Sequence, residues 1–175
     1  MQLRSARNSD VPAIASLHAN SWRFAYRGSL SGDYLETEAD RDRLSLWEGR
    51  FSSPPPNQNV FVLFEGECLI GFASVYIDEH PEFGSFLNNL HVAEGVLRRG
   101  CGTRLMAAVR KCCIAAAPMS PVYLWVVDSN QRAQAFYSQM GATLRGTDLW
   151  EPPGGGEALL YRFAWNLPTE IEDAG

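Results

Sequence analysis

A chain of 175 residues and 19.4 kDa, 46% apolar and 20% charged, has the length of one domain and enough apolar side chains for a sizeable core. No apolar run approaches the roughly 20 residues of a membrane span, and the start, MQLRSARNSD, lacks an apolar signal core. The formal charge of −5 opposes a general nucleic-acid binder, which needs a basic face to displace counterions from phosphates. The expectation is a soluble, cytoplasmic protein without nucleic-acid or membrane partners.

The first apolar period, Val11, Ile14, Leu17 and Trp22, has helical spacing, with Ser9 or Asp10 as the N-cap. Aromatic and polar residues then mix through SWRFAYRGSLSGDYL before a second helical pattern with Leu44, Trp47 and Phe51 on one face. Residues 52–59, with Pro54, Pro55 and Pro56 in succession, cannot continue that helix. β-Branched and aromatic runs at 60–64 and 69–77 flank EGE and predict a hairpin, followed by DEHPEFG and a strand near 86–92. Helical spacing returns with Leu105, Val109, Cys112 or Cys113, and Ala116, and Pro118 marks the stop. The run 122–127 is of buried-strand type. Asn130 caps a helix carrying Ala133, Phe136, Tyr137 and Met140, ended by Gly141, and strands near 142–149 and 158–165 flank EPPGGGE. The acidic tail, 168–175, is expected to fray. The whole predicts one α/β domain over residues 1–167 with a mixed sheet.

Cys68, Cys101, Cys112 and Cys113 contain no CxxC pair, and His18, His80 and His91 have no metal-ligand spacing, so reduced structural thiols and no metal are expected.

The segment LHVAEGVLRRGCGTRLM carries the most chemistry. A strand runs into a loop with Gly100 and Gly102, and a helix begins at once. Unpaired N–H groups and the positive end of the dipole gather at such a terminus, and Arg98 and Arg99 add charge in an acidic chain. That construction suits a phosphate or pyrophosphate, although a glycine turn with two solvated arginines has the same composition. Two other phosphate motifs fail. Cys101-Gly102 follows Gly95–Gly100 where a P-loop has Lys-Ser/Thr, and Leu105 occupies the third glycine position of a dinucleotide fingerprint.

Together with LWVVDSNQRAQAFYSQMGA, this segment resembles the GNAT superfamily of acyl-CoA-dependent N-acyltransferases. Leu90-His91-Val92 and then Arg98-Arg99-Gly100-Cys101-Gly102 fit the family's strand and [QR]-x-x-G-x-[GA] loop, with Leu97 at the Gln/Arg position. Asn130, Ala133, Phe136, Tyr137, Gly141 and Ala142 fit its N-x-x-A-x-x-F-Y-x-x-x-G-[FA] pattern. The run from Ser21 to Gly28 is also similar to many members. The resemblance reaches to about Leu167 and is specific mainly over 88–142.

The resemblance implies a mostly antiparallel sheet splayed between the family's fourth and fifth strands, with acetyl-CoA in the gap and no metal. Leu90, His91, Val92, Arg98, Arg99, Gly100, Cys101, Gly102, Thr103, Asn130, Ala133 and Phe136 would contact the coenzyme. An amine would attack the thioester directly, a backbone N–H near Val92 would hold the tetrahedral oxyanion, and Tyr137 would protonate the leaving thiolate. Some relatives carry a glutamate base where this chain has Phe86, so Glu79 or His80 of the acidic turn stand as base candidates. Trp22, Phe24, Tyr26 and Tyr34 either wall an acceptor pocket or join the core. The acceptor is expected to be a primary amine of a small molecule, peptide or protein. A non-catalytic acyl-CoA sensor and a longer acyl donor are the alternatives, and C-terminal apolar strands make a homodimer a candidate assembly.

Overall fold

Alternating apolar residues in QNVFVLFE and CLIGFASVYIDEH form the hairpin of β2 (Gln58–Glu65) and β3 (Cys68–His80), to which β4 (Gly84–Val92) adds antiparallel. The computed structural model describes residues 1–26 and 30–172. Its seven-stranded sheet has the order β1-β2-β3-β4-β5-β7-β6, completed by β1 (Gln2–Ser5), β5 (Val122–Val127), β6 (Thr143–Trp150) and β7 (Ala158–Trp165). Only the β4–β5 pair is parallel.

Helices cover both faces. On one, α4 (Cys101–Ala116) and α5 (Gln131–Gln139) seat Leu105, Met106, Val109 and Met140 against Val75, Leu124, Phe163 and Trp165. On the other, α1 (Val11–Ala25) and α3 (Ala39–Ser52) press Val11, Ile14 and Trp47 onto Val62 and Phe72. Burying each such side chain contributes about 1.5–3 kcal/mol. A third cluster gathers Ala19, Trp22 and Ala39 around Tyr34 and Leu35 of α2 (Gly32–Thr37). No helix among the described residues is long and apolar enough to cross a membrane.

The site is positioned where the sheet opens. β4 and β5 pair only at Ser85–Val122 and Phe86–Tyr123, then part. One residue, Asn88, has no partner on β3, because the register steps from Leu87–Val75 to Asn89–Ser74. This bulge adds twist to β4 just beyond the last contact with β5.

The structure corrects several expectations. β1 and α2 were not anticipated: four residues show too little alternation, and six residues span less than two helical turns. Asp10 precedes α1 without capping it by its side chain, since its carboxylate accepts from Arg4 (2.7 and 2.9 Å) and from the Arg7 amide (2.7 Å). Fraying does not begin at Pro168. Ile171 is buried in the main core, and the Glu172 amide donates to the Met140 carbonyl (3.1 Å). Gly28 lies outside the described residues.

Candidate active site

The alternating hydrogen-bond pattern of antiparallel strands orients β4. The Ala93 amide bonds the Ile70 carbonyl (2.9 Å), in register with the pairs His91–Phe72 and Asn89–Ser74. Those residues therefore turn their amides to β3, and the amides of Leu90 and Val92 between them face the gap left by β5. The gap offers a ready edge to an extended ligand.

The loop after β4 prepares a second set of donors. Arg98 (φ 62°) and Gly100 (φ 73°) are both left-handed, so the backbone winds into a concave turn before α4. Within the described residues no backbone carbonyl accepts from the amides of Arg98, Arg99 or Gly100, and the first turn of α4 has no earlier turn to bond. A β-carbon on Gly102 would lie 3.2 Å from the Phe136 ring, so the glycine lets α4 and α5 meet tightly. Asn130 caps α5, its Oδ1 accepting from the Ala133 amide (3.1 Å).

These elements enclose a cleft of about 1720 Å³, well beyond the roughly 300–1,000 Å³ of an ordinary small-molecule pocket. Its walls include Leu90, His91, Val92, Arg98, Gly100, Cys101, Gly102 and Thr103 on one side, with Asn130, Ala133, Phe136 and Tyr137 opposite. Arg99 does not line it; its guanidinium pairs with Glu65 (2.7 Å). Arg104 lines it instead. A cleft of this volume, lined by a loop with open backbone donors and by Arg98 and Arg104, fits the chemistry of a phosphorylated coenzyme such as CoA.

Tyr137 is buried, and burial pushes its phenol well above its usual value, with Tyr26 adding to the effect. Tyr26 lines the same cleft from the end of α1, and its own phenol is pushed up to about 12 by enclosure. Both keep their protons at neutral pH. Of the other anticipated aromatics, Phe24 lines the cleft mouth under the Arg132 guanidinium (4.8 Å). Trp22 and Tyr34 are core residues outside the lining: Arg43 stacks on Trp22 (4.1 Å), and the Tyr34 hydroxyl donates to Asp42.

His91 packs 4.6 Å from His18 and 5.1 Å from Phe72. Burial, with Arg43 nearby, lowers His91 to about 3, and His18 is also held well below its usual value. The Trp47 indole donates to His18 Nδ1 (3.0 Å), which leaves the hydrogen on Nε2. Both imidazoles are neutral at physiological pH.

The expected turn is shorter than DEHPEFG, since Asp78, Glu79 and His80 extend β3 and only residues 81–83 turn, and this end of the hairpin sits apart from the cleft lining. His80 Nδ1 accepts from the amides of Glu82 (3.1 Å) and Phe83 (3.2 Å), and its ring stacks on Phe83. Glu79 accepts from Asn57 Nδ2 (2.7 Å) and follows Asp78, whose backbone is left-handed (φ 47°). Asn20, Ser21, Asn88 and Trp125 also line the cleft and were not anticipated. Ser21 opens the run that resembles many family members but was given no role there, and no motif marks Asn20, Asn88 or Trp125.

The profile of the Acetyltransferase (GNAT) family matches residues 15–142. A probable N-acetyltransferase of Mycobacterium tuberculosis, Rv2775, is 27% identical over 172 residues, covering 94% of this chain and 95% of that protein. A GCN5-related N-acetyltransferase from Rhodopseudomonas palustris superposes with a TM-score of 0.72 at 19% identity, covering 93% of each chain. The PaiA N-acetyltransferase of Thermoplasma acidophilum, solved in complex with coenzyme A, superposes at 0.68 with 18% identity, covering 94% of this chain and 98% of that one. Profile, whole-length relatives and splayed sheet agree, and this chain belongs to the GNAT family of acetyltransferases.

Proposed function

We propose that this protein transfers the acetyl group of acetyl-CoA to a primary amine, with Tyr137 as the acid. The observation that carries the reading is the convergence on one cleft of the free β4 edge, the unbonded loop amides and a buried, protonated tyrosine. The Leu90 and Val92 amides hold the extended arm of the donor, and one of them donates to the carbonyl oxygen as charge develops there. The loop amides, with Arg98 and Arg104 beside them, take the pyrophosphate.

The neutral amine nitrogen forms a bond to the thioester carbon, and the carbon–sulfur bond breaks. Sulfur takes the Tyr137 proton, and the amine gives up its own. Glu79 is the better base of the two candidates on the turn, acting through water because it stands outside the cleft lining. His80 has spent its basic nitrogen on two backbone amides. The tyrosine regains its proton from solvent after release.

Incubation with acetyl-CoA and a panel of primary amines tests the reading, following thiol release and the acetylated product by mass spectrometry. Acetyl-CoA at about 100 times its Kd should stabilise the fold by roughly 2.7 kcal/mol. Amine-dependent thiol release is the expected result. The absence of both stabilisation and turnover would refute the proposal.

A further inference from the structure

Phe86, at the last contact between β4 and β5, stacks on Tyr123 with centroids 4.9 Å apart and planes 15° apart. Phe83 meets Tyr123 edge-on at 5.6 Å. Trp125, two residues along β5, belongs to the cleft lining, whereas Phe83, Phe86, Tyr123 and Arg162 do not, so the aromatic strip adjoins the cleft through Trp125. The Arg162 guanidinium of β7 lies 3.7 Å from the Phe83 centroid and 6.0 Å from that of Trp125. Gly146, opposite it on β6, leaves room: a β-carbon there would stand 3.4 Å from the guanidinium.

Arg162 is half-buried and forms no ion pair among the described residues. Its one hydrogen bond runs from Nη2 to the Arg145 carbonyl (3.3 Å), leaving the rest of its planar donor fork open. A guanidinium flanked by aromatic rings, with donors to spare, is a receptor for a carboxylate.

The charges nearby point the same way. Among the described residues of the cleft lining Glu94 is the one acidic residue, and away from Arg98 and Arg104 of the phosphate loop the cations are Arg132 and Arg23. Asp40 is engaged by Arg23, and Asp42 by Tyr34 and Arg43. On the strip itself, Glu79 and Arg162 both act on the Tyr123 phenol, one negative and one positive. A polyamine would bring several ammonium groups to a described cleft lining that holds one carboxylate, Glu94. An amine with one negative group would not.

We infer that the acceptor is an amine that also carries an aromatic group and a carboxylate, with its ring on the half-buried Phe86, which Tyr123 backs from the core, and its carboxylate on Arg162. The inference rests on the acetyl-transfer reading and narrows its acceptor. Polycationic amines are poor acceptors on this account.

The test measures kcat/KM with L-phenylalanine and glycyl-L-phenylalanine, each beside its C-terminal amide, and with spermidine. Acetyl-CoA affinity is followed by calorimetry on the same samples. The wild-type protein should favour at least one carboxylate over its amide by about 10- to 100-fold, mainly through KM, with spermidine poorest. Arg162→Met should bring that ratio close to one while leaving the amides and the acetyl-CoA Kd within about 2-fold, the ratio being the signature of a lost charge-assisted bond. Arg162→Lys should restore part of it. A preference for spermidine, equal use of acid and amide, or equal loss for both in Arg162→Met would overturn the inference. So would tight acetyl-CoA binding with neither aromatic carboxylate acetylated. Absence of acetyl-CoA binding in the wild type would instead overturn the acetyl-transfer reading beneath it.

Discussion

The two sides of the cleft are built from different material. On the proposed donor side the available groups are backbone amides, left open because β5 leaves β4 and because Arg98 and Gly100 turn left-handed. On the proposed acceptor side they are side chains from β4, β5, β7 and the β3–β4 turn, with Arg162 separated by 76–79 residues from Phe86 and Phe83. A backbone site constrains a short sequence tightly, through glycines and spacing. A side-chain site constrains scattered positions, each filled by residues that also serve packing.

Breaking the donor side at its chemistry gives the largest effect. Tyr137→Phe removes a hydroxyl from a buried ring and should lower kcat by about 10²–10⁴-fold. Acetyl-CoA affinity should hold within about 2-fold. Steady-state rates and calorimetry on the same protein check this, and a fall in affinity matching the fall in rate would make Tyr137 a binding residue.

Breaking its backbone comes next. Gly102→Val drives a side chain into the Phe136 ring and should cost about 1–3 kcal/mol of stability by overpacking. Because the same shift moves the first turn of α4 from α5, acetyl-CoA should bind at least about 10-fold more weakly. Denaturant unfolding and calorimetry read the two effects separately.

A smaller effect separates the neighbouring arginines. Arg98→Ala and Arg104→Ala should each weaken acetyl-CoA binding, less so at high salt, since both line the cleft. Arg99→Ala should leave it unchanged and lose only a surface pair with Glu65, worth about 0–1 kcal/mol.

Titration of the buried histidine pair behind β4 gives a further effect, read without any ligand. The unfolded chain protonates both imidazoles near pH 6.5, whereas the fold keeps His18 well below that and His91 near 3. A depressed histidine makes the unfolded state bind more protons, so stability should fall as pH drops below about 6.5, until His91 titrates near 3. The slope is at most about 1.4 kcal/mol per pH unit for each histidine. Unfolding of the wild type and His91→Leu between pH 7 and 5 checks the sign, and the variant should show the shallower slope.

The local structure of the proposed donor side was legible in the sequence because its signals are short-range. Gly100 and Gly102 after a strand, Asn130 before a helix and Phe136-Tyr137 on one turn are local signals, and each stands where the local pattern put it. Arg99 was not separable from Arg98 by sequence, because its partner Glu65 lies 34 residues away on another hairpin. The bulge at Asn88 left no trace either: NN within an otherwise apolar strand reads like any polar interruption. The aromatic strip and Arg162 required β5 and β7 to be neighbours, a pairing that no periodicity within either strand encodes.

The central claim is that the donor is held by backbone amides of β4 and its following loop. Amide hydrogen exchange with and without acetyl-CoA tests this most directly. Protection should rise at Leu90, Val92 and residues 98–103, while the end of β3 around Glu79 stays unchanged. Protection confined to other segments, or none in these amides at saturating acetyl-CoA, would contradict the account.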